Sequence, residues 1–339
     1  MSEEDVLVRQ SGRVLHLTLN RPRVINAVTP AMIGTIAEAL KAAESDTGIE
    51  GVLLDGAGDR GLCAGGDINM SVSGDHDGLR RFWEQEYALD LDISRYAKPF
   101  VALMDGITMG GGIGLAAHAA IRVVTERSRL ALPEARIGFI PDAGGTHLLA
   151  LAPGELGTHL ALTAGDLDAG DAIACGFADH FVPSERLALL VETVSYGEEG
   201  IDEEVRRLAE PAPPARLLAQ RIWIDAAYSA DDVSEILARL DARPEIEAQK
   251  ASSLIRRVSP TSAVFSLANL RRGRELNDLQ AALALELRVG EALLGSHDMI
   301  EGVRAQIIDK DRNPQWSPAE PALVDREWVR DLVHEPVRQ

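Results

Sequence analysis

The sequence PFVALMDGITMGGGIGLAAHAAIRVVT occupies residues 99–125 and contains two short apolar runs. The runs, at 99–103 and 121–125, are typical of buried strands. Between them, residues 109–120 begin with Met109 and three glycines and continue as an apolar segment that is expected to be helical. A helix between two buried strands is typical of α/β architecture, in which helices cover a largely parallel sheet.

The same alternation extends toward the N-terminus. Residues 13–20 carry leucines at every second position, which predicts a strand with one buried face. Thr29 followed by Pro30 predicts the start of a helix, because threonine caps free amides and proline fits the first turn. Residues 51–55 form a further apolar run, and residues 79–96 have helical spacing. The first half of the chain is therefore predicted to be α/β.

The character of the sequence changes near residue 200. A proline-rich segment at 211–214 interrupts the pattern, and the remainder has the period of amphipathic helices. These helices are expected at 215–228, 234–240, 262–270 and 278–294. We predict two regions, a core at 1–200 that carries the functional site and a helical region at 201–339 that covers this core.

Composition and charge exclude several classes of protein. Hydrophobic residues make up 46% of the chain and charged residues 26%, as in globular proteins with a full core. The net charge of −19 disfavours nucleic acid and anionic membranes as partners, and no apolar run is long enough to span a membrane. Two cysteines are too few for a disulfide framework, and the acidic N-terminus carries no targeting pattern. We therefore expect a cytoplasmic protein.

Two glycine clusters are candidates for a binding site, CAGGD at 63–67 and MGGG at 109–112. Glycine lets the backbone approach a ligand, so amides from both clusters could bind one carbonyl oxygen as an oxyanion hole. The alternative is that these glycines only permit tight turns and close helix packing. The glycines alone leave both interpretations open.

Three carboxylates occupy unusual positions. Glu86 falls within the apolar stripe of the helix predicted at 79–96, where a charge needs an ion pair or a cavity. Glu134 and Asp142 each follow a proline in an apolar segment, where irregular backbone presents side chains to ligands. The alternatives are a structural ion pair for Glu86 and helix N-caps for Glu134 and Asp142.

Other reactive residues are interpreted as structural. Cys63 has no evident histidine partner and is expected to be a packing residue, and His118 is expected to be a core histidine. The sequence Asp75-His76-Asp77 lies between glycines and favours a solvated loop over a metal site. No GxxxxGK[ST] or GxSxG motif occurs, which argues against a phosphate-binding loop and a serine nucleophile.

Taken together, the motifs resemble the enoyl-CoA hydratase/isomerase (crotonase) superfamily, in a resemblance that runs from about residue 13 to 318. It rests on LNRP at 19–22, NA at 26–27, CAGGD at 63–67, DGITMGGG at 105–112 and LPEARIG at 132–138. Within the superfamily, the chain is most similar to the 3-hydroxyisobutyryl-CoA hydrolase branch. That similarity lies in Glu86-Tyr87, PDAGG at 141–145, SPTS at 259–262, HD at 297–298, EGVRA at 301–305, DKD at 309–311, Pro314 and Trp316.

The resemblance implies a crotonase-like spiral of ββα units with an extended C-terminal helical region. It also implies that the amides of Gly66 and Gly111 form an oxyanion hole for a CoA thioester and that Glu134 is the catalytic carboxylate. Further positions match those around the ligand: Gly65, Asp67 and Ile68 beside the CoA adenine and pantetheine, and Glu86 and Asp142 around the acyl group.

One departure separates the branches of the superfamily. Hydratases carry a second catalytic glutamate where this chain has Gly114, and the chain offers Asp142 instead. The resemblance therefore implies hydrolysis of a short hydroxyacyl-CoA, 3-hydroxyisobutyryl-CoA in valine catabolism, with Asp142 as a second catalytic residue. The alternatives are an enoyl-CoA hydratase/isomerase acting on another acyl-CoA and a noncatalytic CoA-binding homologue.

The expected ligands and partners follow from the same resemblance. CoA is part of the substrate, and no metal or separate cofactor is expected. Arg21, Arg23 and Lys310 are candidates for binding the CoA phosphates. Trimers and hexamers are common in the superfamily, so a homo-oligomer is expected as well.

Overall fold

The computed structural model describes residues 4–67 and 74–335. Its strands are β1 Val6–Ser11, β2 Val14–Leu19, β3 Gly51–Gly56, β4 Phe100–Met104, β5 Ile107–Met109, β6 Ile121–Val124, β7 Arg129–Ala131, β8 Asp166–Leu167 and β9 His180–Phe181. Its helices are α1 Pro30–Ser45, α2 His76–Ser94, α3 Gly111–Ala117, α4 Gly145–Leu151, α5 Leu156–Thr163, α6 Ala169–Ala174, α7 Leu187–Tyr196, α8 Ile201–Leu208, α9 Arg216–Ala219, α10 Arg221–Tyr228, α11 Val233–Asp241, α12 Ile246–Ile255, α13 Pro260–Leu276, α14 Leu279–Leu293, α15 His297–Val303 and α16 Arg326–His334.

The described residues form two compact units. The first takes in residues 4–67, 84–130 and 167–215, and the second takes in residues 74–83, 131–166 and 216–335. The chain after residue 200 is helical, as predicted. The units themselves are interleaved along the sequence, because residues 131–166 belong with the helices that follow residue 216.

A six-stranded sheet forms the centre of the first unit, with the strand order β1-β2-β3-β4-β6-β9. Strand β1 pairs antiparallel with β2, and the other neighbours pair in parallel. Parallel neighbours need long crossover connections, and α1 and α2 supply them on either side of β3 along the chain. The predicted α/β alternation is confirmed.

Local sequence explains these elements. Strand β2 buries its alternate leucines, as its period of two predicts. Helix α1 begins where Thr29 accepts a hydrogen bond from the amide of Met32, over 3.3 Å, with Pro30 in the first turn. Helices α7 and α8 pack their apolar residues into one cluster with the sheet, including Leu53, Val101, Val123, Leu190, Val194, Ile201 and Val205.

Helices make up most of the second unit. The helix predicted at 215–228 is divided into α9 and α10, whereas the predictions at 234–240, 262–270 and 278–294 match α11, α13 and α14. Among the residues that the structure describes, no helix is long and apolar enough to cross a membrane.

Candidate active site

In the first unit, backbone pairing brings the two glycine clusters together. The amide of Cys63 donates to the carbonyl oxygen of Ile107 (3.1 Å), and the amide of Met109 donates to the carbonyl oxygen of Cys63 (2.9 Å). The end of the first cluster therefore lies beside the start of the second. The sequence presents both clusters, but the pairing that aligns them is set by residues more than 40 positions apart.

The amide of Gly66 is left unused by this pairing. In the parallel bridge between Val28 and Gly66, the Val28 amide donates to the carbonyl oxygen of Gly65 (2.9 Å) and the Val28 carbonyl accepts from the Asp67 amide (2.8 Å). Gly111 is the first residue of α3, where helical amides have no partner within the helix. Within 4–67 and 74–335, no group accepts a hydrogen bond from the amide of Gly66 or Gly111.

The two amides lie close to each other and to a buried carboxylate. The nitrogen of Gly66 is 3.6 Å from the point that a Cβ atom on Gly111 would occupy, and such a Cβ atom would overlap Oε1 of Glu86. Gly65 has a φ of +104°, which favours glycine. Glycine at 111 therefore lets Glu86, which is 3% exposed, approach the backbone beside the free amides.

Burial also determines the protonation state of the Cys63 thiol. It raises the pKa of the Cys63 thiol to about 12, with the hydrogen bond from the Gly65 amide opposing the shift and the nearby Glu86 carboxylate adding to it. A thiol with so high a pKa is neutral at physiological pH and is a poor nucleophile. This agrees with the interpretation of Cys63 as a packing residue.

The structure describes all of the residues expected beside CoA except Ile68, which lies outside the described residues. Gly65 is buried, and Asp67 forms an ion pair with Arg21, whose Nη2 lies 2.9 Å from Oδ2. The charge of Arg21 is thus already balanced by a carboxylate. Among the candidates for binding the CoA phosphates, no carboxylate partner is found for Arg23 or Lys310 within the described chain.

In the second unit, Glu134 begins a 3-10 helix, Glu134–Ile137, and is 8% exposed. The cap position of this turn is Pro133, so the interpretation of Glu134 as an N-cap is wrong. The turn ends at Gly138, whose φ of +75° and close approach to the carbonyl of Asp298 both require glycine. Glu134 is therefore a buried carboxylate on a tight, sterically fixed turn.

Residues at the starts of α13 and α15 stabilise the turn that carries Glu134. The amide of Ser259 donates to the carbonyl oxygen of Ala135 (3.0 Å), and its hydroxyl donates to Oδ2 of Asp298 (2.5 Å). The Ser259 hydroxyl also caps α13 by accepting from the Ser262 amide, over 3.1 Å. The motifs at 259–262 and 297–298 thus support the segment that carries Glu134.

Asp142 lies just before α4 and is 7% exposed. The interpretation of Asp142 as the N-cap of this helix is wrong, because Gly144 occupies the cap position. Asp142 contributes its carbonyl oxygen, which accepts from the Gly145 amide (2.8 Å). The amides of Gly144 and Thr146 donate instead to the carboxylate of Glu286, over 2.8 Å and 2.7 Å.

Glu286 is the functional candidate that the sequence interpretation missed. It is fully buried on α14, among apolar residues of the same helix. Burial and the nearby Asp142 carboxylate raise the pKa of Glu286 to about 8, against the opposing hydrogen bonds from Gly144 and Thr146. A charged residue within an apolar helical stripe was the signal that singled out Glu86, and the same signal applied to α14 identifies Glu286.

The segment Asp75-His76-Asp77 is exposed, as expected, but only Asp75 lies in a loop, because His76 and Asp77 form the start of α2. Asp75 accepts a hydrogen bond from the Gly78 amide (2.8 Å) at the start of α2. Within the described ranges, no group of three or more potential metal ligands is found.

Comparisons with known proteins identify the family. The sequence model of the enoyl-CoA hydratase/isomerase family matches residues 14–333. The chain therefore belongs to the enoyl-CoA hydratase/isomerase family, as the motifs predicted.

Curated proteins that are similar to this chain in sequence include hydrolases. The chain is 36% identical over 337 residues to "3-hydroxyisobutyryl-CoA hydrolase, mitochondrial" of Danio rerio, covering 96% of this chain and 88% of that protein. The human protein of the same name is 37% identical over 329 residues, covering 94% and 85%. The names of these relatives specify mitochondria, so the expected cytoplasmic location of this chain stays a prediction.

Solved structures confirm the crotonase fold. A carnitinyl-CoA dehydratase from Mycobacterium thermoresistibile matches with a TM-score of 0.93 and 45% identity, covering 98% of this chain and 97% of that one. An enoyl-CoA hydratase from Rhodobacter sphaeroides matches with a TM-score of 0.90 and 41% identity, at the same coverage. These two structures carry names of lyases rather than hydrolases, so the name of a relative does not by itself define the reaction.

Proposed function

We propose that this protein hydrolyses the thioester bond of a short hydroxyacyl-CoA, with 3-hydroxyisobutyryl-CoA as the substrate and 3-hydroxyisobutyrate and CoA as products. This reaction would place it in valine catabolism. Two curated hydrolases of that name match nearly the whole chain. The observation that carries the choice is Gly114, a buried helical position without a side chain, where hydratases of the family are expected to hold a second catalytic glutamate.

The amides of the first unit are assigned to the thioester carbonyl. When water attacks the carbonyl carbon, the oxygen gains a negative charge and accepts hydrogen bonds from the Gly66 and Gly111 amides. Donors that are already in place need not reorganise during the reaction, and one such donor stabilises the transition state by about 3 kcal/mol in comparable sites. The unused state of both amides supports this assignment.

The carboxylate of Glu134 is assigned as the catalytic group. As a general base it would take a proton from the attacking water; as a nucleophile it would attack the carbonyl carbon and form a mixed anhydride that water then cleaves. In both routes the C–S bond breaks and the CoA thiolate leaves and is protonated. Burial on a fixed turn suits either role, because a positioned carboxylate loses little entropy on reaction.

Glu86 and Asp142 are assigned to the acyl group, with Asp142 as the second catalytic residue of the hydrolase branch. A carboxylate that accepts a hydrogen bond from the 3-hydroxyl discriminates against substrates without this group. Gly65, Asp67 and Ile68 are assigned to the CoA moiety. CoA is part of the substrate, and the reaction as written needs no further cofactor. A homo-oligomer, trimer or hexamer, stays a prediction that light scattering would check.

The test is a panel of acyl-CoA thioesters assayed for free thiol. Rapid thiol release from 3-hydroxyisobutyryl-CoA or 3-hydroxypropionyl-CoA, with none from crotonyl-CoA, would support the proposal. The second candidate is a hydratase or dehydratase, which the names of the two structural relatives favour. Loss of the conjugated double bond of crotonyl-CoA without thiol release would establish that activity and refute ours. CoA binding without turnover of any thioester would indicate a noncatalytic homologue.

A further inference from the structure

Glu286 connects helix α14 to the segment that follows Asp142. Its Oε2 accepts from the Gly144 amide (2.8 Å) and its Oε1 accepts from the Thr146 amide (2.7 Å), and the side chain is fully buried. A carboxylate held by two backbone donors has a fixed orientation. Its two bonds satisfy amides at the start of α4, a task that a capping side chain usually performs locally.

The backbone between Asp142 and α4 is strained. Ala143 has a φ of +54° and Gly144 a φ of +78°. Alanine in the left-handed region costs about 1 kcal/mol and persists only where the surroundings impose it. The amides that Glu286 binds flank Gly145, whose own amide donates to the carbonyl of Asp142 (2.8 Å). The position of Asp142 therefore depends on the anchor that Glu286 provides.

The same helix holds the segment at a second point. Gly290 lies one turn after Glu286, and a Cβ atom there would approach Cζ of Phe139 within 2.9 Å. Phe139 in turn stacks on Trp83, with ring centroids 4.9 Å apart. Helix α14 thus contacts the segment both before and after Asp142, which leaves the carboxylate little freedom to move.

We propose that Glu286 is a positioning residue for Asp142: through the amides of Gly144 and Thr146 it fixes the turn that presents the Asp142 carboxylate to the acyl group. This inference rests on the proposed function, in which Asp142 recognises the 3-hydroxyl. Glu286 would then act on the preference for hydroxyacyl substrates without touching them. Burial and, after it, the nearby Asp142 carboxylate raise the pKa of Glu286, which is consistent with the closeness of the two carboxyl groups.

The test compares Glu286→Gln with Glu291→Gln, a matched change at an exposed position of the same helix. Thiol release is measured with 3-hydroxyisobutyryl-CoA and with isobutyryl-CoA, which differ only in the hydroxyl. In E286Q, kcat/KM for the hydroxyacyl substrate is expected to fall about tenfold or more relative to that for isobutyryl-CoA. E291Q should leave both values unchanged. An equal loss for both substrates would reduce Glu286 to a structural role and overturn the inference.

A double-mutant cycle isolates the route through Asp142. If Glu286 acts by placing Asp142, E286Q in a D142N background should cost less than about twofold, because coupled residues are not additive. The same loss in both backgrounds would contradict the proposal. If E286Q does not fold, E286D replaces it, since it keeps the carboxyl group with its two acceptor oxygens but withdraws it by one methylene; an unchanged substrate ratio in E286D would again count against the inference.

Amide exchange separates this inference from the proposed function. In E286Q, the amide proton of Gly144 or of Thr146 should exchange about tenfold or more faster than in the wild type, because glutamine has one acceptor oxygen and its NH2 group faces the other backbone donor; E291Q should not alter either proton. Unchanged protection refutes the inference whatever the reaction is. A wild-type protein that releases no thiol from either substrate refutes the proposed function alone.

Discussion

The backbone amide of Ser259 donates a hydrogen bond over 3.0 Å to the carbonyl oxygen of Ala135, the residue that follows Glu134. A residue at the start of α13 thus holds the turn that carries the proposed catalytic carboxylate. Local sequence cannot determine the orientation of Glu134, because its support comes from more than 120 positions later in the chain.

Replacing Ser259 with alanine should destabilise the protein and slow hydrolysis. The change removes the hydroxyl that donates to Asp298 (2.5 Å) and caps α13, and we expect the free energy of unfolding to fall by about 1–2 kcal/mol. Urea unfolding and kcat for thiol release would measure both effects. Ser253→Ala is the matched control, because this exposed serine only bonds the carbonyl of Gln249 within its own helix. Equal free energies of unfolding for the two variants would show that the hydrogen bonds of the Ser259 hydroxyl do not stabilise the protein.

Replacing Glu134 with glutamine should nearly abolish thiol release. An amide cannot take a proton from water, and the loss of a general base typically costs about 10²–10⁴-fold in kcat. The size of the side chain is kept, so the affinity for the product CoA should stay within about twofold of the wild type. Calorimetry with CoA and single-turnover assays would measure the two quantities. Near-normal turnover would exclude Glu134 from the reaction.

Replacing Gly111 with alanine should slow the reaction through the oxyanion donors. A Cβ atom at this position would overlap Oε1 of Glu86, so the carboxylate or the backbone beside the free amides must shift. Displacing one donor should lower kcat about tenfold or more.

Gly34 in α1 provides the matched control for this change. A Cβ atom at Gly34 has nothing within 4 Å, so Gly34→Ala should raise the free energy of unfolding by about 0.5–1 kcal/mol and leave kcat unchanged. A Gly111→Ala variant with wild-type kcat would contradict the assigned role of these amides.

His159 should make the protein sensitive to acid. Burial lowers the pKa of His159 from 6.5 to about 4, and its Nδ1 lies 2.9 Å from the hydroxyl of Tyr228. Between about pH 6.5 and 4 the unfolded chain binds a proton that the folded protein excludes. This residue's contribution to stability is therefore complete above pH 6.5 and declines as the pH falls, by up to about 1.4 kcal/mol per pH unit.

The comparison of wild type with His159→Gln isolates this contribution. Urea unfolding of both proteins at a series of pH values gives the two slopes, and the carboxylates that titrate in the same range affect both alike. The variant should lose stability less steeply between pH 6.5 and 4. Parallel slopes would show that His159 takes up its proton in the folded protein as well.

Much of the first unit could be predicted from the sequence because its signals are local. The leucines of β2, the Thr29 cap of α1 and the apolar stripe of α2 all lie where the period of the residues placed them. Glu86 could be recognised in the same way, since it is charged and its neighbours in the stripe are not. These patterns need no knowledge of which segments meet.

The carboxylates of the second unit could be recognised as unusual, but their surroundings could not. Asp142 precedes a helix in the manner of a cap, yet Glu286, 144 positions later, takes the amides that a cap would bind. A local motif cannot reveal such a competitor. Likewise, the boundary predicted at residue 200 follows a change in composition, whereas the packing groups residues 131–166 with the C-terminal helices.

The amide that the Val28 bridge leaves unused at Gly66 belongs to the main chain, so among single substitutions only one to proline, which has no backbone N–H, can delete it. A change in alignment would also remove it from this position, because an inserted or deleted residue between Gly61 and Gly66 would place the N–H of a different residue there. The length of this loop should therefore be far less variable during evolution than its composition. Drift in its side chains would alter the fit of a ligand, but a single change in length would remove the donor altogether.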